Sequence, residues 1–164
     1  MNTINTVINE YKFQLQKGEI TTAYRCIMDL MMQMRKYFSR EHPDFSVSGS
    51  IYQGFMDMTC FAVVPPALRS RKLKIAIVFI HESIRFEVWL SGVNKQVQKK
   101  YWQLFKKNQK SKYRMPLTLA GRDSILEYDL TNTPDFCDSE ALIKNLEYGI
   151  LKFIRDIEDM LGTS

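Results

Sequence analysis

The sequence lacks the short motifs by which many enzymes are recognised. It has no GxxxxGK[ST] or GxGxxG loop, no GxSxG elbow and no HExxH pair. Phosphate-loop, dinucleotide, hydrolase and zinc-protease functions therefore have no support. Histidine is scarce as well: with only His42 and His81 in the chain, a histidine-rich metal site is excluded. A Ser–His or Cys–His catalytic pair would have to use one of these two residues.

Cysteine is sparse, and no long apolar run is present. Cys26, Cys60 and Cys137 are far apart and form no CxxC pair, which argues against a disulfide framework or a structural zinc site. The N-terminus has no basic region followed by an apolar core, and no run approaches the roughly 18 apolar residues of a membrane span. We expect a cytoplasmic protein with no membrane segment and one domain over residues 1–164.

Charge, in contrast, is distributed unevenly along the chain. Residues 88–122 carry nine basic residues and no acidic one, whereas residues 123–164 carry three basic and ten acidic residues. The basic and acidic regions could lie side by side and offset each other. Alternatively, the basic region could face a phosphate-bearing partner.

Helical periodicity appears in four stretches, residues 2–17, 20–42, 95–108 and 139–161. We expect the first two helices to form an antiparallel pair that packs on a sheet. The third is amphipathic, and its predicted apolar arc consists of Val97, Tyr101, Leu104 and Phe105. The fourth begins after Asp138, a good N-cap, and keeps a continuous apolar stripe.

Six stretches have the pattern of β-strands: residues 45–52, 55–64, 73–80, 84–90, 117–119 and 124–130. Residues 73–80 are apolar on both faces except Lys74, which predicts a central strand covered on both sides. Residues 109–114 are expected to be loop. Short links between most strands favour an α+β fold. We expect a mainly antiparallel sheet of five or six strands that carries two N-terminal helices, one basic amphipathic helix and a long C-terminal helix.

The strand patterns suggest one polar constellation. Asp57 shares a strand face with Thr59, and Arg85, Glu87 and Trp89 share a face of another strand. If the two faces coincide, two carboxylates, a guanidinium and an indole would line one surface. Such a surface could form a shallow ligand pocket, or the carboxylates could perform acid–base work or bind a divalent cation. A solvated face is the structural alternative. The Glu-x-Lys pattern of metal-dependent nucleases is absent around Glu87.

The helix over residues 95–108 suggests a second site. Its outer arc is almost purely basic, and Lys95, Lys99, Lys106 and the bordering Trp102 could contact phosphates and stacked bases. Lysine predominates over arginine there, and no groove-reading motif is present. A lysine-rich helix face is also a common means of keeping a protein soluble.

Three stretches carry a resemblance to a known family: YQGFMDM at residues 52–58, KIAIVFIHE at 74–82 and FEVWLSGVNKQVQKKYW at 86–102. On these stretches the chain resembles a family of uncharacterised bacterial proteins, a domain of unknown function whose likeness covers most of the chain. The resemblance implies a cytoplasmic bacterial protein. It implies no activity and no functional residues, because the stretches are not catalytic signatures.

Together these patterns predict a non-catalytic binding or accessory domain without a cofactor. Its partner would be a small ligand or a protein, bound at Asp57, Arg85, Glu87 and Trp89 on the sheet. Nucleic-acid binding through residues 95–108 is the first alternative. A metal-dependent enzyme that uses Asp57 and Glu87 is the second. The sequence leaves the oligomeric state and the identity of the ligand open.

Overall fold

The computed structural model of the chain describes residues 3–108 and 112–162. Its helices are α1 (Ile4–Lys17), α2 (Glu19–Glu41), α3 (Pro66–Arg69), α4 (Lys95–Asn108) and α5 (Ser139–Gly162). Its strands are β1 (Ser46–Val47), β2 (Tyr52–Gln53), β3 (Met58–Val64), β4 (Leu73–Ile80), β5 (Arg85–Gly92) and β6 (Leu126–Thr131). Among the described residues, no helix combines the length and apolar character that crossing a membrane requires.

All six strands join one antiparallel sheet in the order β1-β3-β4-β5-β6, with β2 paired to the same edge of β3 as β1. The two central pairings are the longest, because β4 aligns with β3 over six residues and with β5 over eight. The predicted α+β class, the strand number and the placement of the long helices are confirmed. The strand over residues 73–80 is central, as predicted.

The hydrophobic core lies on one face of the sheet, called here the covered face. Alternate residues of the strands, such as Phe79 in β4 and Val88 in β5, are fully buried there against the apolar stripes of the helices. The buried helix residues include Met34 and Phe38 of α2 and Phe153 of α5. Alternation along β4 places Lys74, Ala76 and Val78 on the opposite face, called here the open face. The prediction that β4 is covered on both sides is confirmed by its burial, since Val78 on the open face is fully buried and Ala76 is 8% exposed. The helices of the core, however, lie on the covered face only.

Helix α1 does not join the core. It begins at the N-cap Thr3 and ends at Gly18, which has a left-handed φ of 82°. Although its sequence is amphipathic, none of its residues is buried, and Ile8 remains 56% exposed. The predicted packing of two N-terminal helices on the sheet holds for α2 only.

The predicted strand over residues 45–52 is interrupted. Its two ends pair with β3, but residues 49–51 lie opposite Phe61 alone and form a bulge of three residues against one. The Ser48 hydroxyl is one cause, since it accepts a hydrogen bond from the Ala62 amide at 3.1 Å and so replaces a backbone acceptor of the ladder. The polar Ser-Gly-Ser run therefore forms a raised loop where a regular strand was predicted.

The predicted strand over residues 117–119 is absent, and Leu117 is 92% exposed. Its place beside β6 is taken by Arg114, whose backbone exchanges two hydrogen bonds with Glu127, at 3.0 and 2.8 Å. Pro116 then directs the chain away from the edge, because proline has no N–H to continue the ladder. In the predicted loop over residues 109–114, residues 109–111 lie outside the described part of the chain.

Gly92, the last residue of β5, allows α4 to start close to the sheet. A Cβ atom at Gly92 would lie 2.7 Å from the Gln98 amide nitrogen and 3.1 Å from the Asn94 carbonyl oxygen. We expect Gly92→Ala to lower the free energy of unfolding by about 2 kcal/mol, because backbone atoms cannot move aside cheaply. Gly49→Ala is the matched control, since nothing lies within 4 Å of its Cβ position. Equal midpoints of the two variants in chemical denaturation would contradict this packing.

Candidate functional site

The open face carries a cleft of about 730 Å³. Its floor is made by side chains that alternate out of the three central strands, and those that line it include Cys60 and Ala62 of β3, Lys74 and Ala76 of β4, and Trp89 and Ser91 of β5. Four of these side chains are small, namely Cys60, Ala62, Ala76 and Ser91, and they lie in adjacent rows of the sheet. The depression therefore follows from residue size: alanine and cysteine leave space beside a tryptophan.

Two loops form the walls of the cleft. On the β3 side the wall is the bulge, with Ser48, Ser50 and Ile51. On the other side it is the turn from β5 into α4, together with the buried Gln98, whose amide donates to the Arg122 carbonyl oxygen at 2.8 Å. Most of the wall residues offer hydroxyl or amide groups, whereas much of the floor is apolar. The cleft thus combines an apolar base with polar margins, which is typical of small-molecule sites.

Trp89 is the largest side chain of the floor. It pairs with Ala76 on one side and with Glu127 on the other, so that its indole lies between the cleft and a polar cluster. The Trp89 Nε1 atom is buried, and it has no hydrogen-bond partner among the described residues. A buried donor without an acceptor is costly, so a group that reached this N–H would gain a hydrogen bond that the described chain does not supply.

Two other floor residues define the chemistry of the cleft. Burial raises the pKa of the Cys60 thiol above its ordinary value, so the thiol stays protonated at neutral pH. Lys74 forms no ion pair with a carboxylate within residues 3–108 and 112–162. At the rim, in contrast, Lys95 is paired with Asp123 at 3.3 Å. The cleft therefore presents one cation that is available to a ligand.

Beside Trp89 lies an ion cluster, defined here as Arg85, Glu87, Arg114, Glu127 and Asp129. Arg114 is its centre, since it contacts Glu87 and lies 3.0 Å from Glu127 and 3.1 Å from Asp129. Arg85 lies 3.3 Å from the second oxygen of Glu87. With two cations and three carboxylates, the ion cluster has a formal charge of −1.

Burial gives the ion cluster its electrostatic character. The Glu87 side chain is only 4% exposed, and this desolvation raises the pKa of its carboxyl group, although Arg85 and Arg114 act in the opposite direction. Glu127, 10% exposed, gains a further hydrogen bond of 2.5 Å from the Ser124 hydroxyl. Removing Arg114 would therefore leave two buried carboxylates with fewer partners.

The neighbouring residue holds Arg114 in place. The Tyr113 ring packs edge-on against Phe153 of α5, with ring centroids 4.8 Å apart, and its hydroxyl donates a hydrogen bond to Asp156. Burial, followed by that hydrogen bond, raises the pKa of the Tyr113 hydroxyl. Tyr113 thus fixes this segment to the covered face while Arg114 reaches the ion cluster.

The structure brings Arg85, Glu87 and Trp89 together on the open face, but it places Asp57 elsewhere. Asp57 lies in the turn before β3, where its carboxylate accepts a hydrogen bond from the Met58 amide at 2.8 Å. Thr59, which shares its strand face by alternation, lies on the covered face and hydrogen-bonds His81 Nε2 at 2.8 Å. The two predicted faces therefore do not coincide.

The pairing of Asp57 with Glu87 that a metal-dependent enzyme would need is consequently absent. Across the described residues 3–108 and 112–162, no group of three or more His, Cys, Asp or Glu side chains is arranged to hold a metal ion. Glu87 is instead engaged by two arginines.

The basic helix α4 keeps part of its predicted surface. Lys99 is exposed, but Lys95 is held by Asp123 and the Arg122 carbonyl oxygen. Trp102 donates its Nε1–H to the Pro116 carbonyl oxygen at 2.9 Å, and Lys106 covers its ring at 4.5 Å from the centroid. This indole therefore serves to hold the following loop, and nucleic-acid binding stays a prediction.

Two groups of residues were missed by sequence reasoning. Glu127 and Asp129 alternate with apolar residues in β6, so the period of two already assigned them to a common face. No sequence pattern indicated Arg114, because it follows a polar segment that has no strand periodicity. Its backbone pairs with β6 through a single bridge to Glu127. In the sequence, the small floor residues Ala62 and Ala76 look like ordinary strand residues. Only the pairing of β3 with β4 shows that they are neighbours.

The fold and the cleft describe an α+β protein whose antiparallel sheet is layered with helices on one face and carries a pocket on the other. The chain belongs to the family described as Domain of unknown function (DUF7000), which it matches over residues 4–161. No curated protein matches the chain. No solved structure matches it either.

We expect Arg114→Ala to lower the free energy of unfolding by about 2 kcal/mol, because it leaves Glu87 and Glu127 buried with fewer partners. The loss is smaller than for a fully buried pair, since Arg114 is itself 49% exposed and Arg85 still contacts Glu87. A carboxyl group such as that of Glu87, whose pKa is higher in the folded than in the unfolded state, stabilises the fold while it is protonated. This stabilisation is lost as the pH rises through its pKa in the folded state. The variant should therefore lose less stability near pH ~4.5 than at neutral pH.

Denaturant titrations of the variant at both pH values measure this difference. Arg122→Ala is the control, because it removes an arginine that is exposed and forms no ion pair in the described part of the chain. Arg114→Lys should lie between the two, since it keeps the charge but loses the fork of N–H donors. A loss that is equal at both pH values would contradict the role given to Glu87.

Proposed function

We propose that this protein is a non-catalytic binding protein that holds a small molecule in the cleft over Trp89. The observation that carries the proposal is the concave site itself, which Trp89 lines together with small side chains and whose indole N–H is buried without a partner among the described residues. A volume of about 730 Å³ lies within the range of small-molecule sites, roughly 300–1,000 Å³. The site is concave and has a wall on two sides, which favours a small molecule over a folded protein.

The floor indicates the chemical class of the ligand. A flat apolar group could pack on Trp89 and over the small side chains of Ala62 and Ala76. A hydrogen-bond acceptor on that group would satisfy Trp89 Nε1, and an anionic substituent would pair with Lys74. We therefore infer a planar aromatic or heteroaromatic carboxylate, sulfonate or phosphate as the ligand class.

The groups that line the cleft support binding without catalysis. The Cys60 thiol is a poor nucleophile because burial raises its pKa. Neither histidine lines the cleft: His42 contacts Glu147 at 2.7 Å, and His81 contacts Thr59. Asp123 is the carboxylate at the rim and is paired with Lys95. We further infer a reducing compartment such as the cytoplasm, since Cys26, Cys60 and Cys137 are all free.

Binding of 8-anilinonaphthalene-1-sulfonate, an aromatic anion with a planar naphthalene ring, tests the proposal. In the Trp102→Phe variant Trp89 is the only tryptophan, so energy transfer to the dye comes from Trp89 alone, and its loss in a variant with a filled cleft assigns the bound dye to the cleft. We expect saturable transfer. Ala62→Phe, which fills the floor, should weaken binding at least about tenfold, and Lys74→Ala should weaken it about fivefold.

Ile8→Ser is the matched control, because it removes an exposed apolar side chain from α1 and should leave the transfer from Trp89 unchanged. Circular dichroism of each variant separates loss of the site from loss of the fold. Dye binding that survives both Ala62→Phe and Lys74→Ala in folded protein would overturn the proposal.

Nucleic-acid binding through α4 is a second candidate, favoured by the exposed lysines on its outer face, among them Lys99 and Lys106. No ion pair joins that face to the acidic helix α5 in the described part of the chain. It predicts that a labelled single-stranded oligonucleotide binds with an affinity that falls steeply with salt, and that Lys99→Glu with Lys106→Glu abolishes binding. The same reversal at Lys12 and Lys17 of α1 is the control. No binding at low salt would retire this candidate.

A further inference from the structure

Helix α1 presents an apolar stripe that nothing in the described chain covers. Five side chains on one side of the helix are between 36% and 72% exposed: Ile4, Val7, Ile8, Tyr11 and Leu15. The helix is nevertheless well formed at both ends, with a Thr3 cap at its start and a left-handed Gly18 at its end. A stable helix with an apolar stripe normally buries that stripe against another element.

The spacing of the stripe matches a particular kind of partner. Four of its residues, at positions 4, 8, 11 and 15, follow the alternating steps of four and three that define the seam of a coiled coil. A seam of this kind accepts the side chains of a second helix that has the same spacing. The pattern ends at Gly18 and Thr22, so the seam is confined to α1.

We propose that two copies of this chain associate through their α1 helices, seam against seam. The exposed fractions correspond to roughly 550 Å² of surface on each chain, so that complete burial of both stripes would remove at most about 1,100 Å² from water, just above the ~1,000 Å² that a biological interface needs. In a symmetric contact the same surface of both chains meets, so that surface must not bring many like charges together. The positions that flank the seam are Asn5, Val7, Lys12 and Gln14, which bring only one charge per chain.

The body of the protein does not oppose this arrangement. Because α1 buries none of its residues against the rest of the chain, its stripe can be covered by a partner without breaking an existing contact. The cleft over Trp89 is built from β3, β4, β5 and their adjoining loops, so dimerisation and ligand binding use separate elements. A short seam of two heptads predicts moderate affinity, in the micromolar range.

Sedimentation equilibrium of the full chain tests the proposal with two matched variants. Ile8→Ser removes a seam residue that is 56% exposed, and Phe13→Ser removes a residue on the opposite side of the same helix that is 53% exposed. We expect a concentration-dependent dimer for the native chain and for Phe13→Ser, and at least a tenfold larger dissociation constant for Ile8→Ser.

Hydrogen exchange gives an independent readout. The amides of α1 should become more protected as protein concentration rises, whereas those of α4 should not change. A native chain that stays monomeric up to millimolar concentration would overturn the proposal. So would a dimer that is weakened equally by both variants, or one that is insensitive to Ile8→Ser.

Discussion

The structure depends on a sheet that its own helices cover on one face only. The helices α2 and α5 bury one set of alternate residues, among them Phe79 and Val88, and this supplies the hydrophobic core. The opposite face must be closed by side chains of the strands themselves. It is closed in two ways: next to β6 by the ion cluster around Arg114, and next to β3 only by small residues, which leave the cleft.

The ion cluster and the cleft are therefore two parts of one surface, joined by Trp89. The ion cluster holds Glu87 and Glu127 at fixed positions beside the indole, and so limits how the tryptophan can move. A rigid aromatic floor with an unsatisfied N–H is suited to recognition, because little order has to be gained when a ligand binds. The bulge at residues 49–51 supplies the other half of the geometry, since a regular strand there would have left the face flat.

Much of the fold could be predicted from the sequence, because long periodic segments determine it. The apolar stripes of α2 and α5 and the alternation in β5 indicate whether each segment is a helix or a strand and which of its sides is buried. Local polar chemistry caused two of the errors. The hydroxyl of Ser48 interrupts a predicted strand. On α4, the amide side chain of Gln98 is buried where Leu104 was expected, and Leu104 is 41% exposed. Strand register, which sequence periodicity does not determine, separates Asp57 from Glu87 and brings Ala62 beside Ala76.

The most direct measurement of the central claim is the ¹H–¹⁵N spectrum of the two indole N–H groups during titration with 2-naphthoate. Trp102 donates its indole N–H to Pro116, whereas that of Trp89 has no acceptor in the described chain. If the cleft is a binding site, the Trp89 resonance shifts and saturates while that of Trp102 stays in place. A Trp89 resonance that remains unchanged at saturating naphthoate, or a shift confined to Trp102, would contradict the account.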